Sequence, residues 1–287
     1  MEVTSDGEVG DKARFVRGVE RALLEGEAGI GVHSAKDLPA EMPEGLVIAA
    51  VPVREDPADV WIGVGDSLDE VPEGAKVGTA SLRRQAQLLA TRPDLKVGEL
   101  RGNVDTRLRK LGEEALDGIV LAAAGLKRLG RDGEISFAIP AAAMTPAAGQ
   151  GALVLQARAD DAEAIVAAAA IGDQTALAEL TAERAVVALL DATCATPIGV
   201  HAKVAPAAAG SRDEQRSRTD ADPRTGAGSL VIDAFVGLPD GSEWIRDRVE
   251  GAAEEPAAAG ALLAERLLSA GARDILDRAE NWSSGRV

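Results

Sequence analysis

The sequence predicts an α/β fold for most of the chain, followed by a small C-terminal α+β domain. At 287 residues the chain is longer than a typical single domain, so two or three domains are expected. Between residues 76 and 129 an apolar strand, a polar turn and a helix alternate three times. After residue 198, three strand-like stretches precede a covering helix. Strands that alternate with helices indicate a doubly wound sheet, parallel or mixed.

The first stretch predicts one helix and three short strands. Apolar side chains recur at helical spacing between residues 11 and 25, and Gly26 ends that helix. Short apolar runs bounded by turn residues predict buried strands at 29–32, 46–51 and 60–62.

The three repeats have strands at 76–77, 95–100 and 118–122, and each strand leads into a helix that opens with cations. The ligands of open α/β sheets bind outside the carboxyl ends of the strands, where helix N-termini present free N–H groups. This edge of the sheet is therefore the predicted binding site.

The last part of the chain changes in character. A loop at 146–151, a strand at 152–156 and Ala-rich helices at 161–190 come first. The predicted C-terminal domain then consists of strands at 198–204, 229–236 and 243–248 and a helix at 256–270. Residues 206–228, rich in Ala, Gly, Ser, Arg and Asp, are predicted to be a disordered insertion.

Composition excludes several classes of function. A formal net charge of −16 argues against nucleic acid and membrane surfaces as partners, because both are negatively charged. No apolar run approaches the roughly 20 residues of a membrane span, and the first residues do not resemble a signal peptide, so a cytoplasmic protein is expected. With only His33 and His201, a His-rich metal site is excluded. No metal is expected.

Basic residues are concentrated in one segment of this acidic chain. Residues 83–110 hold eight Lys or Arg against three acidic residues. The arginines that lie within a few residues of a strand end, and so are expected to converge on one crevice, are Arg83, Arg84, Arg101, Arg107 and Arg128. The alternative, arginines on solvated helix faces, suits Arg92 and Arg109.

Cys194 is the only cysteine and lies in a short polar loop. One thiol forms no internal disulfide, so Cys194 is either a small buried side chain or a reactive attachment point.

Several blocks together resemble one family, porphobilinogen deaminase (hydroxymethylbilane synthase). The resemblance runs in order along nearly the whole chain and is carried by these blocks: 33–39 (HSAKDLP), 54–57 (REDP), 78–84 (GTASLRR), 100–103 (LRGN), 106–108 (TRL), 124–129 (AGLKRL), 149–151 (GQG) and Cys194.

The resemblance implies two lobes like those of type II periplasmic binding proteins and a third, α+β domain that carries the cysteine. The implied division is 1–53 with 149–172 for the first domain, 54–148 for the second and 173–287 for the third. It also implies a dipyrromethane cofactor held by a thioether to Cys194. The family extends this primer by four porphobilinogen units, with loss of ammonia, and releases hydroxymethylbilane, which uroporphyrinogen-III synthase consumes; a monomer is expected.

The resemblance also assigns individual roles. Asp37 is the implied catalytic residue, although a capping role in its loop is the alternative from sequence alone. Phe15 is the implied aromatic at the mouth of the active site, with core anchoring as its alternative. The residues implied to bind the cofactor, besides Cys194, are Lys36, Thr79, Ser81, Arg83, Arg84 and Arg101, and those implied to bind substrate with Phe15 are Arg107 and Arg128.

The chain departs from the family at its start, where members open with a strand and an Arg-x-Ser-x-Leu-Ala motif. About forty residues are expected to be missing, judged against a first strand and helix. Two alternatives to the active enzyme therefore stay open: an inactive truncated form, and a two-lobed binding module for a small polycarboxylate.

Overall fold

The computed structural model describes residues 11–193, 196–205 and 228–283. Cys194 lies outside the described residues, and so does the predicted insertion at 206–228 except for Gly228.

The helices and strands follow the predicted order. The helices are α1 (Asp11–Leu24), α2 (Leu82–Thr91), α3 (Val104–Glu113), α4 (Ala123–Arg128), α5 (Ala162–Ala169), α6 (Gln174–Leu189), α7 (Pro256–Ser269) and α8 (Ala272–Ser283). The strands are β1 (Gly31–Ser34), β2 (Leu46–Ala50), β3 (Asp59–Gly63), β4 (Lys76–Gly78), β5 (Lys96–Gly98), β6 (Gly118–Ala122), β7 (Phe137–Ala138), β8 (Leu153–Arg158), β9 (Ile198–Ala205), β10 (Ser229–Gly237) and β11 (Trp244–Ala252). The two-residue strand β7 and the helix α8 were not predicted from the sequence pattern.

The central sheet is mixed and has the strand order β5-β4-β6-β3-β7. Strand β4 runs parallel to β5 and β6, whereas β3 is antiparallel to β6 and β7. Both faces are buried: Val60 and Ile62 pack on one side and Trp61 on the other. A strand buried on both faces is apolar without alternation, as the sequence pattern of β3 and β6 indicated. The expected mixed α/β sheet is confirmed.

A close approach inside this sheet requires a glycine. A Cβ at Gly118 would lie 2.0 Å from Cζ2 of Trp61, which is fully buried. The absence of a side chain at Gly118 therefore lets the indole fill the core beside β6.

A second sheet has the order β1-β8-β2, with antiparallel pairing throughout. Its middle strand, β8, comes from the chain after the central sheet, so the backbone crosses between the two sheets twice, at 51–58 and at 139–152. Helices α1 and α6 pack on one face, and α5 packs on the other. The two crossings place residues 149–151 between the sheets.

The third sheet, β9-β10-β11, is an antiparallel meander covered by α6, α7 and α8. Helix α8 begins just after Gly271, whose φ is +99°, and buries Ile275, Leu276 and Ala279 in the same core. This confirms the α+β character of the C-terminal part and extends its helical layer beyond the predicted end at residue 270. Among the described residues, no helix is both long and apolar enough to cross a membrane.

Candidate functional site

Helices α2 and α3 begin at the carboxyl ends of β4 and β5, at the edge that the sequence analysis identified. The Ser81 hydroxyl caps α2 by accepting from the N–H of Arg84, and the Asn103 side chain caps α3 by accepting from the N–H of Thr106 at 2.8 Å. Buried Thr79 accepts from the N–H of Ser81 at 3.2 Å. These caps fix the first turn of each helix, where the arginines are carried.

Arg83 and Arg84 are almost fully buried and share one carboxylate, that of Asp59. Arg83 donates to Asp59 through Nη1 at 2.6 Å and Nη2 at 3.1 Å, and Arg84 donates through Nε at 2.9 Å. Burial alone would raise the pKa of Asp59, but the charges of Arg83 and Arg84 hold that pKa far below its ordinary value. Asp59 therefore stays ionised between two guanidinium groups.

Three further bonds complete this buried network. Arg83 Nη1 donates to the carbonyl of Thr145 at 2.7 Å, and Arg84 Nη1 donates to that of Val120 at 2.8 Å. The Gln150 side chain donates to Asp59 Oδ1 at 3.0 Å. Gln150 lies on the second crossing, residues 139–152, which is called the crossing segment below. The network therefore joins the central sheet to the backbone that leads to the second sheet.

Arg107, one helix away, keeps an unused donor. Its Nε is buried and has no hydrogen-bond partner among the described residues. Burial lowers the pKa of Arg107, and its positive charge in turn helps lower the pKa of Arg84, whose own burial is the main cause. A buried guanidinium N–H without an acceptor indicates a place for an anion.

The two remaining predicted arginines, Arg128 and Arg101, do not bind Asp59 as Arg83 and Arg84 do. Arg128 Nη2 donates to the carbonyl of Gly151 at 2.8 Å, so Arg128 is tied to the crossing segment. Arg101 is largely exposed and pairs with Glu99 at 2.6 Å. The structure thus brings Arg83, Arg84 and Arg107 into one cluster and leaves Arg101 at the solvent-exposed side.

Asp37 and Phe15 line a common cavity of about 400 Å³ in the first lobe, together with Val16, Val32, His33, Ser34 and Leu153. Asp37 ends a 3-10 turn, residues 35–37, that also carries Lys36. Phe15 is 69% exposed, whereas its neighbour Val16 is buried, so core anchoring of Phe15 is wrong. Within the described residues, His33 Nδ1 is buried and has no partner, while its Nε2 contacts Gln156 Oε1 at 3.0 Å.

The crossing segment connects this cavity to the arginine cluster. A Cβ at Gly149, whose φ is +70°, would lie 2.9 Å from the backbone nitrogen of Lys36. The turn that carries Lys36 and Asp37 therefore packs directly against Gly149, and the next residue, Gln150, reaches Asp59. Gly149 thus contacts the predicted Lys36–Asp37 turn directly, and Gln150 reaches the arginine pair through Asp59.

A second buried carboxylate, Glu183 on α6, holds the same segment from the other side. Glu183 pairs with Arg54 at 2.7 Å and accepts the N–H groups of Gly149 at 2.6 Å and Ala202 at 2.8 Å. Burial would raise the pKa of Glu183, but Arg54 and His201 together more than offset this effect, and the pKa lies below its ordinary value. The bond from Ala202 brings β9 of the C-terminal domain into the network.

No role was predicted from the sequence for Asp59, Gln150 or Arg54. A detectable signal did exist for Asp59, because a lone acidic residue at the start of an apolar strand needs a buried partner. Which partner it has could not be read from the chain, since Arg83 and Gln150 lie 24 and 91 residues away.

Comparison with known proteins agrees with this architecture. Residues 3–166 match the family model "Porphobilinogen deaminase, dipyromethane cofactor binding domain", and residues 177–269 match "Porphobilinogen deaminase, C-terminal domain". The porphobilinogen deaminase of Desulforudis audaxviator is 47% identical over 94% of this chain and 81% of its own length. That of Brevibacillus brevis is 43% identical over 93% of this chain and 80% of its own.

Among solved structures, a TRAP periplasmic solute-binding protein from Desulfovibrio salexigens is similar over 54% of this chain and 57% of its own. Its TM-score is 0.37 at 12% identity, so this likeness supports no argument about function.

Fold and family models together place the molecule among the α/β transferases that bind a dipyrromethane cofactor. The chain belongs to the porphobilinogen deaminase family, whose activity is that of a hydroxymethylbilane synthase. The resemblance stated from the sequence is thereby confirmed, and so are the function and the enzyme class predicted from it.

Proposed function

We propose that this chain joins four porphobilinogen molecules head to tail on a dipyrromethane primer, attached through a thioether to Cys194, and so forms hydroxymethylbilane. The observation that carries the proposal is the crossing segment, which touches the Lys36–Asp37 turn through Gly149 and the Asp59 network through Gln150. An acidic group and a cation cluster are thus held on two sides of one backbone segment.

The guanidinium donors of this site suit the carboxylates of a dipyrromethane cofactor. Each pyrrole unit carries an acetate and a propionate, and forked guanidinium groups bind carboxylates through two parallel hydrogen bonds. Within the described part of the chain the Nε of Arg107 has no hydrogen-bond partner, and it lies near the charge of Arg84, which supports a carboxylate position at this place. When bound, the dipyrromethane supplies the nucleophilic pyrrole carbon on which the chain grows. The residues proposed to hold its carboxylates or those of substrate are Lys36, Thr79, Ser81, Arg83, Arg84, Arg101, Arg107 and Arg128.

Asp37 is the proposed catalytic residue. The aminomethyl group of porphobilinogen reacts in its protonated, ammonium form: when its C–N bond breaks, the nitrogen leaves with the bonding pair as neutral ammonia, and the positive charge stays on the pyrrole. A fixed carboxylate stabilises this charge and accepts a hydrogen bond from the pyrrole N–H. Asp37 lines the same cavity as exposed Phe15, which supports a role for Phe15 at the mouth of the site.

Sheet membership supports a division of the chain into three domains. We propose 1–53 with 149–172, 54–148 and 173–287 as the three domains. In support, the second sheet uses strands from both parts of the first range, the central sheet lies within the second, and the meander lies within the third. A cytoplasmic monomer that passes its product to uroporphyrinogen-III synthase completes the proposal.

Intact-mass measurement tests the attachment. Incubation with porphobilinogen should add the mass of a dipyrromethane to the wild-type protein and none to Cys194→Ser. An unmodified wild-type protein would contradict the proposal and favour the polycarboxylate-binding module. A protein that takes up the primer but releases no hydroxymethylbilane would contradict the proposed turnover.

A further inference from the structure

Asp59 is a fully buried carboxylate at the start of β3, and nothing in the proposed chemistry uses it directly. Its two oxygens accept from both guanidinium groups of the arginine pair, with Arg83 bound bidentately at 2.6 and 3.1 Å. Oδ1 also accepts from Arg84 Nε at 2.9 Å. Asp59 is thus the common acceptor that fixes the planes of Arg83 and Arg84.

Two adjacent buried guanidinium groups repel each other, and burial of each cation costs free energy. Asp59 offsets the charge of one of them and leaves the trio with one positive charge, to which nearby Arg107 adds another. The cluster therefore still attracts carboxylates while its members stay close together.

We propose that Asp59 is the positioning residue of the cofactor site, and that it sets the orientation in which Arg83 and Arg84 meet the carboxylates of the bound pyrrole chain. This inference rests on the proposed function. Asp59 need not touch the ligand, because it acts through the two arginines.

The position of Asp59 is itself tied to the first lobe. Gln150 donates to Asp59 at 3.0 Å and to the carbonyl of Pro57 at 2.6 Å. Its neighbour Gly149 packs against the backbone of Lys36. The arginine pair is therefore oriented relative to the Lys36–Asp37 turn as well as within its own sheet.

The direction in which Asp59→Asn changes the affinity for anions distinguishes a positioning role of Asp59 from a role as a counterion only. If Asp59 were only a counterion, Asp59→Asn would remove a negative charge beside an anion site and tighten anion binding. If Asp59 positions the arginines, the same substitution weakens binding even though the net positive charge rises. A purely structural role lowers thermal stability but does not predict this reversal.

The experiment uses the full chain and two probes, citrate as a tricarboxylate and porphobilinogen as the source of the primer. Citrate affinity is measured by thermal shift at constant ionic strength, and primer uptake by intact mass over time, below the melting temperature of each variant. Asp59→Asn should weaken citrate binding at least about fivefold and slow primer uptake by about tenfold or more. Asp59→Glu, which keeps the charge but displaces the carboxylate, should show losses of about twofold to fivefold in both.

Asp94→Asn is the matched control, because Asp94 also binds an arginine bidentately, Arg92, at 2.7 Å for both contacts. Its citrate affinity and uptake rate should stay within about twofold of wild type. Unchanged or tighter citrate binding by Asp59→Asn would overturn the inference. If that variant does not fold, wild-type behaviour of Asp59→Glu would overturn it instead.

The proposed function can fail separately. A wild-type protein that binds citrate but takes up no pyrrole would contradict the proposed function, while the citrate comparison would still decide the role of Asp59. A wild-type protein that binds neither probe would contradict both.

Discussion

Glu183 shows how strongly one buried side chain can depend on ionisation. Its carboxylate accepts from both terminal nitrogens of Arg54, at 2.7 and 3.2 Å, and from the backbone of Gly149 and Ala202. An amide at this position would turn one acceptor into a donor that faces other donors. We expect Glu183→Gln to lower the free energy of unfolding by about 3–5 kcal/mol, measured by urea denaturation near neutral pH.

The pH dependence of stability follows from the same residue. The pKa of Glu183 in the folded protein lies below its ordinary value of 4.5, because Arg54 and His201 together outweigh the effect of burial. The stabilisation is therefore complete above about pH 4.5 and is lost as the pH falls through the folded-state pKa. Urea denaturation from about pH 7 to about pH 3 should show a smaller loss of stability for Glu183→Gln than for wild type.

Glu113→Gln is the matched control, since Glu113 also pairs with an arginine, Arg109, but on the surface of α3. Its unfolding free energy should stay within about 0.5 kcal/mol of wild type. If both variants showed the same stability and pH dependence, the buried network would not contribute as argued.

Asp37 is the residue on which the proposed chemistry depends. It lies on the surface of the cavity rather than in a core, so Asp37→Ala should keep the fold, with a melting temperature within a few degrees of wild type. Turnover of porphobilinogen should fall by about a hundredfold or more, because the charge left by ammonia loses its fixed anion. Near-normal turnover would remove Asp37 from the mechanism.

At the scale of elements, the helix caps position the cations. Helix α3 carries Arg107 one turn after its cap, Asn103, whose side chain accepts from the N–H of Thr106 at 2.8 Å. Asn103→Ala should reduce the free energy of unfolding by about 1 kcal/mol, measured by denaturant titration. Asn281→Ala, an exposed change near the end of α8, is the control and should cost less than about 0.5 kcal/mol. Equal losses would show that the cap is not the cause.

At the scale of the whole molecule, Arg246 on β11 connects the C-terminal meander to the part of the chain that carries the central sheet. Its guanidinium donates to the carbonyls of Ala142 and Ala143 and to Gln87, and it lies 5.3 Å from the ring centre of Phe235. These contacts hold the first part of the second crossing, residues 139–152.

Arg246→Ala should release that segment. The amides of Ala143 and Met144, which donate to the carbonyl of Pro140, should exchange hydrogen about tenfold faster, while the core of the meander stays protected. Arg248→Ala removes an exposed arginine from the same strand and should leave those amides unchanged. Unchanged exchange in Arg246→Ala would show that the fastening lies elsewhere.

Most of the fold could be predicted from local pattern. The apolar stripe of α1, the alternation of strands with helices and the three strands of the meander all appear near their predicted bounds. The short strand β7 was missed because two residues give no period. Helix α8 was missed even though Ile275, Leu276 and Ala279 face one core.

Part of the candidate site could also be predicted. The position of the arginines at the carboxyl edge follows from strand order, and the structure places Arg83, Arg84 and Arg107 together there. Asp59, the buried partner of Arg83 and Arg84, was not predicted, nor was the exposed position of Arg101. Side-chain pairing across a fold depends on three-dimensional distances that sequence spacing does not contain.

The sequence by itself determined the order of the elements, the acidic surface with its one basic segment, and the family, because each depends on residue types and their local spacing. Only the tertiary structure decided that Gly149 and Gln150 touch two lobes and that Asp59 and Glu183 hold them. The physical reason is burial. A charge that is removed from water needs an oppositely charged or hydrogen-bonding partner close to it in space, and that partner can lie anywhere along the chain.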